Sequence, residues 1–396
     1  MYEKQDNKCP EANLQRRSYP IAQHHHPPGR KQSSPHAGVQ IRFPNSSAVS
    51  RLPRGWRESH IEADMKKLIN DPRKVALEAL EGLALAFPQY VRKVNGHLAI
   101  VRKEAPISGK VTILTGGGSG HEPMFAGYVG RGMADASVAG NVFTSPPPPP
   151  IYETSKLADG GAGILFIYGN YSGDVLNFDV AAEMLQEEKF SVATVRVSDD
   201  VASAPPERKA ERRGIAGDLF VIKVAGARAE EGGTLQEVAT AAEKANENTR
   251  SMGVALSSCI IPASGQLIFD LPENAMEVGM GLHGEPGVQR GPMLTADGVA
   301  AEIVRRILAD LPAKSGDELA VLVNGLGATP LSELFIVFGA VCRLLQDAGL
   351  SAVRSYVGNY ASSLDMAGCS VSLMRLDPDL KRLLLAPVEC PALVQV

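Results

Sequence analysis

From residue 65 onward, short apolar runs alternate with stretches whose apolar residues recur at helical spacing. Val75 to Phe87 carries the helical period, and Leu98 to Arg102 and Val111 to Leu114 read as strands. Gly163 to Tyr168 is a buried-looking strand, followed by a helix with Val175, Leu176, Phe178, Ala181, Ala182 and Leu185 on one side. Ser191 to Val197 predicts a strand, Phe220 to Ala229 and Leu235 to Glu247 predict helices, and Met252 to Cys259 predicts a strand. The order then restarts with a strand at Glu277 to Gly281, a helix at Val299 to Leu308 and a strand at Leu319 to Val323. A long helix through Leu345 follows, with Thr329 suited to cap it and Pro330 to start it. Ala352 to Val357 and Ser370 to Met374 read as closing strands. The alternation predicts an α/β protein of two domains, 65–248 and 249–396, with a soft boundary near 247–250.

Residues 1–64 lack either period and are rich in Pro, Ser, Arg and His, which predicts a disordered extension or a mis-assigned start, with Met65 as an alternative first residue. His24, His25 and His26 within it read as solvated rather than as a metal site. The 396 residues suffice for two sizeable cores, and a net charge of −4 gives no general attraction to nucleic acid or anionic membrane. No apolar run has the length of a membrane span, and no signal peptide precedes the folded part. Five scattered cysteines without CxxC spacing point to reduced thiols in the cytoplasm, with Cys259 a small core residue.

The richest candidate chemistry is Val111 to Pro123, where a β-branched run meets Gly116, Gly117, Gly118, Ser119, Gly120 and His121. Glycines at a strand end predict a binding turn that brings His121 to a pocket rim, and Pro123 is suited to the first turn of a helix. GxxxxGK[ST] is absent, and the final glycine of GxGxxG would fall on His121, so neither nucleotide fingerprint fits. Pro146 to Pro150 predict an extended surface connection. Asp199 and Asp200 point to opposite faces of a strand and read as a solvated loop rather than a metal pair. Leu282 to Gly287 echo the first motif, with a histidine beside Gly, Glu and Pro. His121, Asp174 and His283 therefore each stand in a loop at a presumed strand end, a set able to act on a small polyhydroxy molecule without a metal.

Eight stretches carry a further resemblance: GGGSGHEPMFAGYVGRGM, NVFTSP, NYSGDVLNFDVAAE, RRGIAG, MGVALSSC, MEVGMGLHGEPG, NGLGATPLSELF and SLDMAG. In this order, from Met65 almost to the C-terminus, they resemble the substrate-binding K subunit (DhaK) of dihydroxyacetone kinases. The resemblance implies a homodimer of two-domain α/β subunits with mixed sheets that binds a short ketose. It implies Gly118, Ser119, Gly120 and His121 as substrate contacts, and Asp174 as the base for the hydroxyl being phosphorylated. His283 is implied to add to the ketone carbonyl as a covalent hemiaminal, with His121 orienting the adduct. Such chemistry selects ketones over polyols.

The sequence departs from the family pattern at Gly169, where strict dihydroxyacetone relatives carry lysine before NY[ST]GD. Losing that cation opens space for erythrulose or another four- or five-carbon ketose beside dihydroxyacetone itself. The aspartate-rich magnesium motif of the family's nucleotide-binding L subunit is absent. The resemblance therefore implies that ATP, or ADP recharged by a phosphotransferase system, sits with Mg²⁺ on a separate DhaL-type partner. No metal or cofactor is expected on this chain, nor contact with nucleic acid or membrane. The alternative within the same fold is a non-catalytic ketose sensor that signals to a transcription regulator, against which Asp174 speaks.

Overall fold

The computed structural model describes residues 66–396, so the expectations for the N-terminal extension and for Met65 lie outside the described residues. The first half runs α1 (Val75–Ala86), β1 (Val91–Lys93), β2 (Ala99–Arg102), β3 (Thr112–Ser119), β4 (Ala136–Val142) and α2 (Pro148–Ala158). It continues through β5 (Ile164–Gly169), α3 (Ser172–Glu187), β6 (Val192–Val197), α4 (Asp218–Glu230) and α5 (Leu235–Glu247). These strands form one six-stranded sheet in the order β1-β2-β4-β3-β5-β6. The four strands from β4 to β6 run parallel, and the β1–β2 and β2–β4 pairs are antiparallel.

The second half begins with β7 (Thr249–Ala255), a small hairpin of β8 (Ile260–Ile261) and β9 (Gln266–Leu267), then β10 (Ala275–Val278) and β11 (Gln289–Pro292). After these come α6 (Ala296–Asp310), β12 (Glu318–Gly325), α7 (Leu331–Asp347), β13 (Ser351–Gly358) and β14 (Gly368–Leu376). Helix α8 (Pro378–Leu385) and the hairpin β15 (Val388–Cys390) and β16 (Leu393–Gln395) finish the chain. The second six-stranded sheet is ordered β11-β10-β7-β14-β12-β13, with only β12 and β13 parallel. Both sheets are mixed. No described helix is long and apolar enough to cross a membrane.

The side-chain period of two divides each central strand between two cores. Leu165 and Ile167 of β5 face a core with α4 and α5, while Ile164, Phe166 and Tyr168 face α2 and α3. In β12, Ala320 and Leu322 join the first of these cores, while Leu319, Val321 and Val323 pack under α6 and α7. One continuous core thus lies between the two sheets around α4 and α5, with an outer helical layer beyond each sheet. Arg212 ties the halves together: only 1 % exposed, it donates to both Asp310 oxygens at 2.8 and 2.6 Å, and Arg250 joins the same carboxylate.

Several local expectations change. Pro147 is extended, but Pro148 to Pro150 form the first turn of α2. First-turn amides have no intrahelical acceptor, so proline loses nothing there. Thr329 does not cap α7; its hydroxyl accepts from the Gly368 amide at 2.7 Å and donates to the Gly368 carbonyl, pinning the turn to β14. Asp199 and Asp200 are buried rather than solvated. Asp199 accepts from the Ile215 and Gly217 amides at 2.8 and 2.9 Å, and Asp200 accepts from Arg213 at 2.7 Å. The strand expected to reach Cys259 stops at Ala255, although Cys259 is buried; β14 is central rather than closing.

Candidate active site

The glycines before His121 lie inside a strand, not in a loop. Gly116, Gly117 and Gly118 belong to β3, and only Gly120 takes a left-handed φ, at +99°. A Cβ at Gly116 would stand 2.3 Å from the Val138 carbonyl oxygen, and one at Gly118 would stand 2.8 Å from the Thr144 amide. The bare strand therefore lets β4 and the turn after it close directly over its backbone. Ser119 donates its hydroxyl to the Gly140 carbonyl at 2.7 Å, joining the same two strands. No helix opens at Pro123; turns lead to a single 3-10 turn, Ala126–Tyr128. The carbonyls of Gly120, His121 and Glu122 are occupied by the Leu364 amide, the Ser362 amide and the Ser362 hydroxyl, at 2.8, 3.1 and 2.8 Å. His121 itself is 2 % exposed, and its Nδ1 donates to the Ser362 carbonyl at 2.8 Å.

His283 stands in the turn between β10 and β11, and Glu285 shapes that turn. Oε2 of Glu285 accepts the His283 backbone amide at 3.0 Å, and Oε1 accepts the His283 Nδ1 proton at 3.2 Å. A Cβ on Gly281 would fall 2.1 Å from Glu285 Oε2, so any side chain there would push that carboxylate out of its present position. Burial alone would raise the Glu285 pKa, but the hydrogen bond and charge of His283, with Arg213 nearby, hold it at about 2. Arg213 lies 3.8 Å from Glu285 and is itself paired to Asp200. Ser363 donates to the Leu282 carbonyl at 2.5 Å, so consecutive serines grip the two histidine turns.

The two histidines, 162 residues apart in sequence, meet directly: Nε2 of His121 lies 3.0 Å from Nε2 of His283. Phe143, at a φ of +56°, stacks on His121 at 5.0 Å and meets His283 edge-on at 5.2 Å. Tyr171 meets His283 edge-on at 4.8 Å. Burial, then the charge of His283, lowers the His121 pKa to about 3.

Asp174 is in the first turn of α3 rather than in a loop, and is 9 % exposed. Burial pushes its pKa up to about 6, although the Ser145 hydroxyl and His283 pull the other way. The Ser145 hydroxyl nevertheless donates to the Pro146 carbonyl, and Asp174 Oδ1 is buried without a hydrogen-bond partner. A carboxylate with one oxygen so buried can change its protonation near neutrality. Gly169 closes β5 behind it, where an added Cβ would touch the Tyr171 ring at 3.2 Å and the Gly214 carbonyl at 3.3 Å. Among the described residues, no group of three or more His, Cys, Asp or Glu side chains is placed to hold a metal ion.

Sequence reasoning singled out the histidines and Asp174 but gave no role to Glu285, Phe143, Tyr171, Ser362 or Ser363. The NYSGD and LHGEPG stretches held Tyr171 and Glu285 in plain view beside the selected residues. Phe143 and Ser363 likewise lay in the NVFTSP and SLDMAG stretches without a role, and Ser362 stood just outside the second; only the folded chain brings all three to the histidines.

The Dak1 domain model matches residues 81–392. Over 328 residues the chain is 46 % identical to the PTS-dependent dihydroxyacetone kinase 2, dihydroxyacetone-binding subunit DhaK, of Listeria innocua, covering 83 % of this chain and 98 % of that one. It is equally 46 % identical to the D-erythrulose kinase of Mycolicibacterium smegmatis, covering 83 % of this chain but 56 % of that protein. The crystal structure of the dihydroxyacetone kinase of C. freundii superposes with a TM-score of 0.75 at 33 % identity, over 83 % of this chain and 60 % of that one. The paired histidine turns thus lie on a scaffold whose likeness extends to nearly the full length of the Listeria subunit, and the chain belongs to the Dak1 domain family.

Proposed function

We propose that this chain is the ketose-binding subunit of a dihydroxyacetone-type kinase, built as two α/β domains that meet between α5 and β7. His283 adds through Nε2 to the carbonyl carbon of a short ketose, giving a hemiaminal. His121 holds the resulting oxygen, and Asp174 accepts the proton from the terminal hydroxyl as phosphoryl transfer begins. The observation that carries this reading is the 3.0 Å approach of the two Nε2 atoms, each ring being fixed from behind at Nδ1. A ring nitrogen so fixed can meet a carbonyl carbon while its neighbour meets the carbonyl oxygen. Gly118, Ser119, Gly120 and Gly169 complete the substrate surface through backbone close to the reacting groups.

Tethering orders the terminal hydroxyl for in-line transfer, which a freely bound polyol without a carbonyl does not gain. The phosphoryl group comes from a separate nucleotide-binding L-type subunit that holds ATP or ADP with Mg²⁺, in the cytoplasm, with this chain acting as a homodimer. Gly169 leaves the β5–α3 corner free of a long cation, which supports erythrulose or a similar ketose beside dihydroxyacetone.

The test is phosphoryl transfer by this chain mixed with a purified ATP-binding L-type subunit, with dihydroxyacetone and erythrulose in parallel. Phosphorylated ketose is the expected product. Its absence, with the same partner active beside another K subunit, would replace the kinase with a ketose sensor.

A further inference from the structure

We propose that Glu285 is a positioning residue for the nucleophile, keeping the His121–His283 pair one proton richer than two neutral rings, so that the proton a hemiaminal requires is already in the site. This rests on the covalent reading given above.

The argument is a count of hydrogens. A neutral imidazole carries one N–H. The Ser362 carbonyl can only accept, so the proton of His121 is on Nδ1. Glu285, with its pKa held at about 2, is an ionised acceptor, so the proton of His283 is also on Nδ1. Two neutral rings would then present bare lone pairs to each other across 3.0 Å, which is repulsive. One added proton turns that contact into an N–H···N hydrogen bond. It belongs to His283, which is partly exposed and next to a carboxylate, rather than to the buried His121.

The surroundings agree with this assignment. His283 is faced by the Tyr171 and Phe143 rings, by His121, by Glu285 and, electrostatically, by Asp174. Arg213 stands 3.8 Å from Glu285 but makes its close ion pair with Asp200 at 2.7 Å, so its charge helps keep the Glu285 carboxylate ionised while Glu285 stays free to face His283. On ketose addition the Nε2–carbon bond forms and the carbonyl π pair moves to oxygen. The Nε2 proton passes by way of His121 Nε2 to that oxygen. His283 ends as a carbon-substituted imidazolium that keeps its proton on Nδ1, hydrogen-bonded to Glu285, and the charge of the site is unchanged.

Adduct affinity is therefore flat with pH while the pair is charged and falls about tenfold per pH unit above the point where it discharges. Glu285→Gln keeps an acceptor for Nδ1 but removes the charge, and that break moves down by at least about one pH unit. Two measurements test this. The first is the ¹⁵N-histidine spectrum of the ligand-free full chain, assigned with His121→Asn and His283→Asn. The second is the adduct formed from dihydroxyacetone carrying ¹³C at the carbonyl, followed against pH in the wild type and in Glu285→Gln. Two protonated nitrogens on His283 at neutral pH, an adduct in the wild type and a lowered break in the variant are expected. An adduct in a wild type with two neutral rings, or an unmoved break in Glu285→Gln, overturns the role of Glu285 while leaving the hemiaminal intact. No adduct in the wild type at any pH overturns the covalent reading itself, and the ¹⁵N spectrum still decides the proton count without any variant having to fold.

Discussion

Asp174→Asn separates catalysis from stability in a way that can be given a magnitude. Burial raises the carboxyl from its ordinary value of 3.8 to about 6 in the folded chain. That gap of about two pH units, at about 1.4 kcal/mol each, amounts to about 3 kcal/mol. The sign follows from where the proton is held more tightly. Between these two values the folded state binds more proton than the unfolded state, so stability is full below pH 3.8 and is lost as pH rises through about 6. At pH 7.5 the wild type therefore bears a penalty that asparagine, neutral throughout, does not. The assay is denaturant unfolding of both proteins at pH 4, 5, 6 and 7.5, read as the difference between them. Titrating groups remote from Asp174 cancel in that difference, and the fixed cost of a buried amide drops out of its change with pH. The variant should gain about 3 kcal/mol on the wild type between acid and pH 7.5, while phosphoryl transfer falls at least about a thousandfold. A difference independent of pH would refute the claim that Asp174 is a desolvated, unpaired carboxylate, and normal turnover by the variant would remove it as the base.

Other perturbations probe separate parts of the molecule. His283→Ala should abolish the ¹³C-detected adduct, whereas Asp174→Asn should retain it; an adduct surviving in the alanine variant would assign the nucleophile elsewhere. Wild-type turnover should fall about tenfold per pH unit below about 6, as Asp174 becomes protonated. An activity profile flat to pH 5 would contradict this. Gly169→Lys should move the erythrulose-to-dihydroxyacetone activity ratio toward dihydroxyacetone, with the Tyr171 ring yielding to the new Cβ; an unchanged ratio would remove Gly169 from specificity. Arg212→Met should cost about 3–5 kcal/mol in unfolding free energy, because it removes one partner of a buried ion pair. A loss below about 1 kcal/mol would mean that Arg250 alone satisfies Asp310.

The parts of the fold that sequence made legible are those with one dominant local signal. Strand β5 is apolar at nearly every position because both faces are buried, and α5 spans the same Leu235–Glu247 that its spacing predicted, because one face of it is buried. Pro148 to Pro150 misled because proline excludes a helix interior yet is welcome in its first turn, and composition does not give the register. Asp199 and Asp200 looked solvated because their partners, Ile215, Gly217 and Arg213, lie beyond the next turn of chain. The histidine pair shows both sides: each motif marked its own residue, but the contact between them depends on Ser362 and Ser363, at the edge of a third stretch whose link to the histidines is made only by folding. Glu285 stood two positions from His283 and went without a role because its carboxylate folds back on its own turn.

The glycines of β3 bear on how such a site can change over evolutionary time. A pocket usually acquires a new preference by exchanging side chains along its walls, one substitution after another. Along β3 that route is closed: Gly116 faces the Val138 carbonyl and Gly118 the Thr144 amide at distances no side chain tolerates. Single substitutions there would break the sheet before they altered the ligand. The corner between β5 and α3 is less constrained, since an added Cβ at Gly169 would stand 3.2 Å from the Tyr171 ring and 3.3 Å from the Gly214 carbonyl, contacts that a shift of a few tenths of an ångström relieves. On the proposed ketose site one wall is thus rigid and the other yielding, and variation that survives should accumulate on the yielding side.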